Sequence, residues 1–459
     1  MGRSGGASGP FVTLFDLLRD HPFDEDEGVL FSVDGSMTLG ETRRRVEELA
    51  RTFDVGPGRA IAVQLPNGPE LLCAMFAVWS REAVFVPVND RMPAAEVDSI
   101  LAATGACGIV DRNGFRRLDG AVEHPEDAAF IVWTSGTTGA PKPIVHTHSA
   151  YLELLDRVLG PLRGSGRRQG PPTPNLIPVS MALNAGIYNC LFGLRAGSSL
   201  VIMDRFTPEE FAVLVDRFQI RSTVLPPAAM VMLADSGVDS LAPLRYVRSI
   251  TAPLSPLQAQ RFMARFGCFV LNSYGQAEMG EVIGWTAADA REHPERLGAA
   301  GRPLPGVAVR VDAEGHLLVR PPSAALGLDE RIDDEGYIDT GDVATIDDAG
   351  FVWIEGRVSD LINRGGNKVF PDAVEEVLRL HPSVVDVAVV GVPDVRLGEV
   401  PVAFVVGSDI DEAALLSHCR EHLIPYKVPV EIIPIDELPR NEIGKVLRRE
   451  LVQRRSVNP

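Results

Sequence analysis

The chain has 459 residues, of which 45% are hydrophobic and 23% are charged, and its formal net charge is −18. This length predicts more than one domain, and the composition is typical of an ordinary soluble globular protein. The acidic balance argues against a nucleic acid or an anionic membrane as partner, since either requires a basic face, but it permits a local basic pocket for a nucleotide.

The cysteines and the N-terminus predict a cytoplasmic protein. The five cysteines are scattered and form no CxxC pair, which favours reduced, buried thiols over a disulfide framework. The first ten residues lack the apolar core of a signal peptide, and no apolar run is long enough to span a bilayer. The sequence does not predict an oligomeric state.

The first 130 residues alternate between predicted strands and helices. Strands are expected at 61–65, 83–88 and 108–110, and helices at 69–79 and 93–104. Both helices have a proline in the first turn, a position that suits its fixed φ. This βαβα order predicts an α/β fold with parallel strands.

A turn rich in glycine and hydroxyl groups follows the next predicted strand, 130–133. It runs from Thr134 through Gly139, and Lys142 lies just beyond it. Glycines let backbone N–H groups approach a ligand, hydroxyls add donors, and the lysine adds positive charge. The segment therefore predicts a phosphate-binding loop. It is not a Walker A loop, because Pro143 follows the lysine.

The middle of the chain contains one long uncharged segment. A helix is expected at 148–159, followed by an exposed loop at 160–174. The segment 176–194 carries no charged residue, so it is either a core helix or the wall of an apolar substrate pocket. Strands and helices then alternate again, at 200–203, 208–218, 222–225 and 269–275.

The pattern changes from about residue 298, where strands become short and turns frequent. This predicts an antiparallel β region. Beyond residues 357–361 a small α+β unit is expected, with helices at 371–380 and 411–423 and strands at 384–392 and 402–406.

Six motifs together resemble the adenylate-forming superfamily, which comprises acyl- and aryl-CoA ligases, peptide-synthetase adenylation domains and luciferases. The first motif is the phosphate-binding loop. The others follow in the order of the family, at 272–278, 301–306, 337–342, 356–366 and 438–445. The resemblance extends from Thr38 to Lys445, and chance agreement at all of these motifs is negligible.

The resemblance implies an α/β fold with two domains. Residues 1–356 would form a large N-terminal domain of parallel and mixed sheets with helices and a small β region. A hinge at 357–361 would lead to a small mobile α+β C-terminal domain, 362–459, that carries the catalytic lysine.

The resemblance also implies a reaction in two steps, with ATP, Mg²⁺ and CoA taking part. A carboxylate attacks the α-phosphate of ATP, which gives an acyl-adenylate and pyrophosphate. A thiol then attacks the acyl carbon and AMP leaves. This chemistry depends on charge stabilisation, because negative charge gathers on phosphate oxygens in the transition state.

The implied catalytic residues are Lys142, Glu278 and Lys445. Lys142 would hold phosphate together with the loop, and Glu278 would be the Mg²⁺ ligand. Lys445 would bridge the carboxylate and the α-phosphate as a compact, mobile charge. The residues implied to bind ATP or AMP are Thr134, Ser135, Gly136, Thr137, Thr138, Gly139, Thr251, Ala252, Pro253, Asn272, Ser273, Tyr274, Gly275, Gln276, Ala277, Asp342 and Arg357.

The chain departs from the family pattern at several positions. Pro143 and Thr251 each replace a usual glycine, and Ala277 replaces a threonine whose hydroxyl contacts the α-phosphate. Met181 stands where a gating aromatic segment is common, and Ser359 occupies the hinge position. Loss of one transition-state donor at Ala277 costs about 2.7–4 kcal/mol unless another donor replaces it.

The acid is expected to be an apolar acyl or aryl acid. The stretch 176–190 has no Asp or Glu, whereas domains that activate α-amino acids carry an Asp there to bind the ammonium group. The stretches 176–193 and 226–233 are expected to line an apolar pocket that contains Met181, Met230 and Met232, since methionine adapts to irregular shapes. The residues chosen to line it are Met181, Ala182, Asn184, Pro226 and Met230.

The acceptor thiol is expected to be CoA, because the segment after the hinge resembles acyl-CoA ligases more than carrier-loading domains. The residues implied to face the thiol are Asn363, Arg364, Gly365 and Gly366. The pantetheine thiol of an acyl or peptidyl carrier protein is the alternative acceptor. A different class of function is a degenerate family member that binds nucleotide without catalysis.

His146 and His148 form an HxH pair. Imidazoles at this spacing are metal ligands in some proteins. The sequence offers no third ligand nearby, so we do not predict a metal site there.

Overall fold

The computed structural model describes residues 13–120, 122–134, 142–163, 172–440 and 446–457.

The chain divides into two compact units. The first comprises Met1–Ala308 and Arg320–Ile332, and the second comprises Val309–Val319 and Asp333–Pro459. Packing therefore groups the small β region with the C-terminal residues, and the predicted hinge at 357–361 lies inside the second unit. The functional boundary at that hinge stays a prediction.

The first unit alternates strands and helices, as its sequence pattern predicts. Its strands are β1 (Gly28–Phe31), β2 (Ser36–Thr38), β3 (Ala60–Val63), β4 (Val84–Pro87), β5 (Gly108–Asp111), β6 (Gly114–Arg117), β7 (Ala128–Thr134), β8 (Lys142–Thr147), β9 (Asn175–Ile177), β10 (Leu200–Ile202), β11 (Ser222–Leu225), β12 (Tyr246–Ser249), β13 (Phe269–Leu271), β14 (Ser273–Gln276), β15 (Gly280–Gly284) and β16 (Arg302–Pro303). Its helices are α1 (Asp16–Arg19), α2 (Leu39–Thr52), α3 (Pro69–Ser80), α4 (Ala94–Thr104), α5 (His148–Arg163), α6 (Asn184–Arg195), α7 (Pro208–Arg217), α8 (Pro227–Asp235), α9 (Pro256–Phe266) and α10 (Ala287–Glu292).

A six-stranded sheet in the order β6-β5-β3-β4-β7-β8 organises the first half of this unit. Strands β5, β3, β4 and β7 run parallel, while β6 and β8 are antiparallel edges. Every residue of β3 and β4 is buried, and α3 is buried from Leu71 to Trp79 because it packs between these strands and α2. Helices return the chain between parallel strands, so the expected α/β class is confirmed.

Three smaller sheets complete the first unit. Their orders are β2-β1-β10-β9, β11-β12-β13 and β14-β15-β16. The sheet β11-β12-β13 is parallel, and the sheet β14-β15-β16 is antiparallel. The carboxyl ends of β12 and β13 lead into the predicted ligand segments, the position where open α/β sheets bind ligands.

Two sequence-based predictions need correction. The segment 176–194 is not one helix, because β9 precedes α6 and a turn separates them. The expected strand 269–275 breaks at Asn272, so β13 and β14 belong to different sheets. The Asn272 side chain donates to the carbonyl of Ala299 at 2.9 Å, and its backbone carbonyl accepts from Trp285, which fixes the change of direction.

The second unit contains β17 (Ala308–Val311), β18 (His316–Arg320), β19 (Ile338–Ile346), β20 (Val352–Arg357), β21 (Ile362–Arg364), β22 (Asn367–Val369), β23 (Val384–Asp394), β24 (Gly398–Gly407), β25 (Glu431–Pro434), α11 (Pro371–Arg379), α12 (Glu412–His422) and α13 (Arg448–Val457). Strands β17 to β20 form one sheet in sequence order, which confirms the predicted antiparallel β region. A second sheet has the order β22-β21-β24-β23, with β25 parallel to β24.

Hydrophobic residues of α11, α12 and the second sheet form the core of this unit, including Val374, Leu378 and Leu415. None of the helices in the described ranges combines the length and apolarity that a bilayer span requires.

Candidate active site

The ends of the predicted phosphate-binding loop lie on neighbouring strands. The antiparallel strands β7 and β8 place Thr134 opposite Lys142 and Trp133 opposite Pro143. Because β8 is an edge strand, Pro143 removes an N–H group without breaking an interior ladder. The loop residues Ser135, Gly136, Thr137, Thr138 and Gly139 lie outside the described residues, so their phosphate role stays a prediction.

The two histidines that follow the loop are buried in separate environments. His146 stacks on Phe130, with ring centroids 4.8 Å apart, and burial lowers its pKa to about 4. His148 accepts a hydrogen bond on Nδ1 from the backbone N–H of Leu14 at 3.1 Å, and burial also lowers its pKa to about 4. No group of three metal-ligating side chains is found among the described residues.

The hairpin β14–β15 carries most of the predicted nucleotide motif. Its register shifts between Tyr274 and Gly275, and a Cβ added to Gly275 would lie 1.9 Å from the carbonyl oxygen of Gly280. Position 275 therefore requires glycine because the two strands approach too closely for a side chain. Ala277 is half-buried and packs against the hydrophobic core around α3, α5 and α6.

An arginine that the motifs do not include holds the predicted Mg²⁺ ligand. Arg331 Nη1 lies 2.8 Å from Glu278 Oε1, and Arg331 Nη2 donates to Gln276 Oε1 at 2.8 Å. The Glu278 side chain is 12% exposed. A partly accessible carboxylate oxygen suits Mg²⁺, which prefers oxygen ligands, and the Arg331 guanidinium is a cation that would compete for it.

Two residues of the nucleotide motif, Ser273 and Asn272, support the local backbone, whereas Tyr274 is partly accessible. Ser273 donates through Oγ to the Ser249 carbonyl at 2.8 Å, which joins β14 to the end of β12. Tyr274 is half-buried, and its hydroxyl accepts from Gln276 Nε2 at 3.4 Å. Asn272 is buried and bonded to backbone, so its visible role is to support the turn.

The segment predicted to edge the adenine is exposed just beyond β12. Thr251, Ala252 and Pro253 are all exposed, and Thr251 has a φ of +74°. A β-branched residue is rare in this left-handed region, where glycine is at ease. The position at which the family usually has glycine therefore keeps the glycine-like conformation in this chain.

Within the second unit, the two residues predicted to contact ribose or phosphate lie side by side. Asp342 on β19 and Arg357 on β20 are direct cross-strand partners. Arg357 Nε lies 3.2 Å from Asp342 Oδ1; the Asp342 side chain is 5% exposed and that of Arg357 is 51% exposed. The buried carboxylate is thus held by a cation that remains accessible.

The two buried methionines of the predicted pocket lie in separate hydrophobic cores. Met181 belongs to the core around α3, α5 and α6, whereas Met230 on α8 belongs to the core around β11 and β12. Asn184 accepts from the Tyr151 hydroxyl at 2.8 Å. Pro226 and Ala182 are half-buried, and Met232 is 49% exposed, so Met232 does not share the buried setting of the other two methionines.

Asn67 supports the loop that carries Met181. Its Oδ1 accepts from the Met181 N–H at 2.9 Å, and its Nδ2 donates to the Met203 carbonyl at 2.6 Å. The turn Pro66–Asn67–Gly68 after a predicted strand was the only sequence signal for this residue.

The segment predicted to face the thiol is a tight hairpin between β21 and β22. Gly365 and Gly366 have φ of +59° and +89°, as a two-residue turn with both central residues left-handed requires. Asn363 Oδ1 accepts from the Gly366 N–H at 3.0 Å. Arg364 Nη1 donates to the carbonyls of Tyr426 and Val428 at 2.8 and 3.0 Å, so its visible role is structural.

Lys445 lies outside the described residues. The residues on either side of this segment are joined, because Arg440 and Val446 form an antiparallel bridge and the Leu447 N–H donates to the Pro439 carbonyl at 2.8 Å. The catalytic role of Lys445 stays a prediction.

Four polar residues between α5, α6, β12 and β15 form a buried group that the sequence motifs did not include. They are Arg157, Tyr188, Arg248 and Glu281; we call them the buried polar cluster. Arg248 is ion-paired with Glu281, whose side chain is 7% exposed. Burial raises the pKa of Glu281 and lowers that of Arg157.

Comparisons with known proteins agree with the motifs. The family described as AMP-binding enzyme matches residues 21–122 and 111–327, and the family described as AMP-binding enzyme C-terminal domain matches residues 373–445. Together these matches span most of both compact units.

Individual relatives resemble the chain over nearly its whole length. A feruloyl-CoA synthase from an Amycolatopsis species is 30% identical over 91% of this chain and 94% of that protein. A 2-succinylbenzoate–CoA ligase from Bacillus cereus is 29% identical over 94% of each. The structure of the amide bond synthetase McbA from Marinactinospora thermotolerans has a TM-score of 0.83 at 25% identity, covering 96% of this chain and 99% of that one. The chain therefore belongs to the AMP-binding enzyme family of adenylate-forming ligases.

Proposed function

We propose that this protein is an AMP-forming acid–thiol ligase that converts a carboxylic acid into its CoA thioester. It would use ATP to form an acyl-adenylate and pyrophosphate, and the CoA thiol would then displace AMP. The observation that carries this proposal is the end-to-end likeness to relatives named as CoA ligases, over 91–94% of this chain.

In the first step, charge on the phosphates must be neutralised while the carboxylate approaches. We assign phosphate binding to the loop residues from Thr134 to Gly139 with Lys142, and the bridging charge to Lys445. Mg²⁺ bound through Glu278 would supply further positive charge to the phosphates. Arg331 Nη1 lies 2.8 Å from Glu278 Oε1. Mg²⁺ binding to Glu278 would therefore weaken this ion pair.

The ribose would be held by Asp342, whose carboxylate can accept from two hydroxyls. Arg357 orients that carboxylate, since its Nε lies 3.2 Å from Asp342 Oδ1 on the neighbouring strand. Tyr274, Gly275 and the exposed segment 251–253 would border the adenine.

In the second step, the C-terminal residues would rotate about 357–361 and present the turn Asn363–Gly366 to the incoming thiol. Val358–Asp360 forms a single 3-10 turn between β20 and β21, a short connection of the kind that absorbs domain rotations. Ser359 donates through Oγ to Asp360 Oδ1 at 3.0 Å, so a rotation there would exchange only one local side-chain bond at Ser359.

Pyrophosphate exchange against a panel of carboxylic acids tests the first step. ATP-dependent exchange with at least one acid is expected, and no exchange with any acid would favour the degenerate nucleotide-binding alternative. The retained residues Glu278, Asp342 and Arg357, together with Lys142 and Lys445, argue against that alternative.

Thioester formation tests the second step. With an acid that supports exchange, CoA is expected to yield the acyl-CoA and AMP. If only a phosphopantetheinylated carrier protein accepts the acyl group, the proposed acceptor is wrong and the carrier is the partner. A simple amine that accepts it in place of both thiols would instead indicate amide formation.

A further inference from the structure

The buried polar cluster contains several polar atoms without a hydrogen-bond partner among the described residues. They are Nε and Nη1 of Arg157, the hydroxyl of Tyr188 and Oε2 of Glu281. The Arg157 side chain is 1% exposed. Its remaining nitrogen, Nη2, lies 3.4 Å from the Met279 carbonyl and 3.4 Å from Glu153 Oε2.

Such an arrangement requires a further hydrogen-bonding partner. A buried polar atom without a partner costs about 1–3 kcal/mol, and more when the group is charged. Native structures contain few such atoms, and each calls for an explanation. Here the residues are neighbours, because α5, which carries Arg157, packs against both α6, which carries Tyr188, and β15, which carries Glu281.

The cluster adjoins the predicted reaction centre. Arg157 donates to the carbonyl of Met279, the residue after Glu278. Tyr188 lies one helical turn beyond Asn184 on α6, so the two side chains project from one face of that helix. A Cβ on Gly280 would clash with Leu154 of α5 at 2.0 Å, which shows how closely α5 packs on the hairpin.

The charges of the cluster are unequal. Within the cluster, Arg157 and Arg248 face the single carboxylate of Glu281, and Glu153 supplies a second carboxylate to Arg157 from outside it. The Glu153 side chain is 33% exposed, and its Oε2 lies 3.4 Å from Arg157 Nη2. Nε and Nη1 of Arg157 thus have no acceptor among the described residues.

We propose that the buried polar cluster binds an oxygen-bearing group at the far end of the acid, so that the substrate class is an acid with an apolar body and a second carboxylate or a hydroxyl. This inference rests on the proposed function. Arg157 donates to that oxygen through Nε and Nη1, and the Tyr188 hydroxyl donates a further bond. Glu281 is held by Arg248 and accepts from the group when it is a hydroxyl.

Such a site discriminates strongly against apolar acids. An acid without the oxygen would leave the buried donors unpaired, and sites built to hydrogen-bond a substrate reject analogues that lack the bonding group. The uncharged stretch from 176 to 194 still fits the body of the acid.

Acids supplied in matched pairs test the proposal on the unmodified full-length protein. The panel would pair straight-chain monoacids with diacids of equal length, from butanoic and succinic to decanoic and sebacic acid, and cinnamic with p-hydroxycinnamic acid. Pyrophosphate exchange gives kcat/KM for each. The oxygen-bearing member of the best pair is expected to exceed its partner by at least about tenfold, the equivalent of one hydrogen bond.

The diacid pairs and the hydroxyl pair identify which oxygen group the cluster prefers, and preference for either supports the proposal. Apolar members that equal or exceed their partners in every pair would overturn it while leaving the proposed ligase activity standing. No exchange with any acid would overturn the proposed function itself.

Two tyrosine variants separate binding from a structural role. Tyr188→Phe removes one hydroxyl at nearly constant volume and is expected to lower the discrimination ratio within the best pair about tenfold. Tyr246→Phe is the matched control, since the Tyr246 hydroxyl accepts from Arg291 at 3.4 Å and not from a residue of the cluster. If Tyr188→Phe changes thermal stability but leaves the ratio as in the control, the cluster is only structural and the proposal fails.

Discussion

The positive φ of Thr251 predicts that glycine stabilises this chain at an exposed position. Thr251 holds a φ of +74° directly after the end of β12. A non-glycine residue in such a conformation stores about 1–3 kcal/mol of backbone strain. Thr251→Gly would remove this strain.

Glycine also carries a cost, because it enlarges the conformational freedom of the unfolded chain by about 0.4–1 kcal/mol. The side chain of Thr251 is exposed, so its removal sacrifices little packing. Subtracting the entropic cost from the strain leaves a net increase in the free energy of unfolding of about 1 kcal/mol.

Urea denaturation of the full-length protein, followed by circular dichroism, measures the effect. Thr251→Ala is the matched control, because alanine keeps the Cβ that causes the strain and should change the free energy of unfolding by less than about 0.5 kcal/mol. The reasoning is refuted if the glycine and alanine variants have the same stability, or if glycine destabilises the first unit.

Three further predictions concern catalysis and pH. Lys445→Ala should abolish pyrophosphate exchange but spare thioester formation from supplied acyl-adenylate; persistent exchange would show that Lys445 is misassigned. Arg331→Ala removes the cation that lies 2.8 Å from Glu278, so the Mg²⁺ concentration for half-maximal exchange should fall about fivefold, the equivalent of a pair worth about 1 kcal/mol; an unchanged or higher requirement would contradict this competition. Burial lowers the pKa of His146 from 6.5 to about 4. As the pH falls, the unfolded chain therefore binds a proton at this histidine before the folded protein does. The stability that His146 contributes is complete above about pH 6.5 and falls by about 1.4 kcal/mol per pH unit as the pH drops towards 4. Urea titrations between about pH 7 and pH 5 should show a shallower loss for His146→Phe, and an equal loss in both proteins would rule out this contribution.

Much of the fold was readable from the order of local patterns. Apolar runs such as 83–88, separated by proline-started helices, predicted the parallel strands that β3 and β4 form. The same reasoning failed at 176–194, where an uncharged stretch contains both β9 and α6. Uniform apolarity indicates burial but has no period that separates a strand from a helix.

Some residues of the candidate site were found from the sequence, and others were found only in the structure. The family resemblance pointed to Asp342 and Arg357, and the structure makes them cross-strand partners. The resemblance did not identify Arg331, which lies 53 residues from Glu278 along the chain yet contacts it, or Asn67, which supports the Met181 loop from 114 residues away. Single polar residues outside motifs carry no local signal, because their partners are supplied only when distant segments pack.

By itself, the sequence determined the family and the residues of its contiguous motifs, because each motif lies within a short stretch of the chain and can be recognised without the fold. Only the tertiary structure decided that Arg331 contacts Glu278, that Thr251 adopts a glycine-like conformation, and that polar atoms of Arg157, Tyr188 and Glu281 are buried without a hydrogen-bond partner among the described residues. These features depend on burial and on contacts between residues distant in the chain. Desolvation makes an isolated buried charge costly, which is why the burial of Arg157 matters although no motif includes this residue.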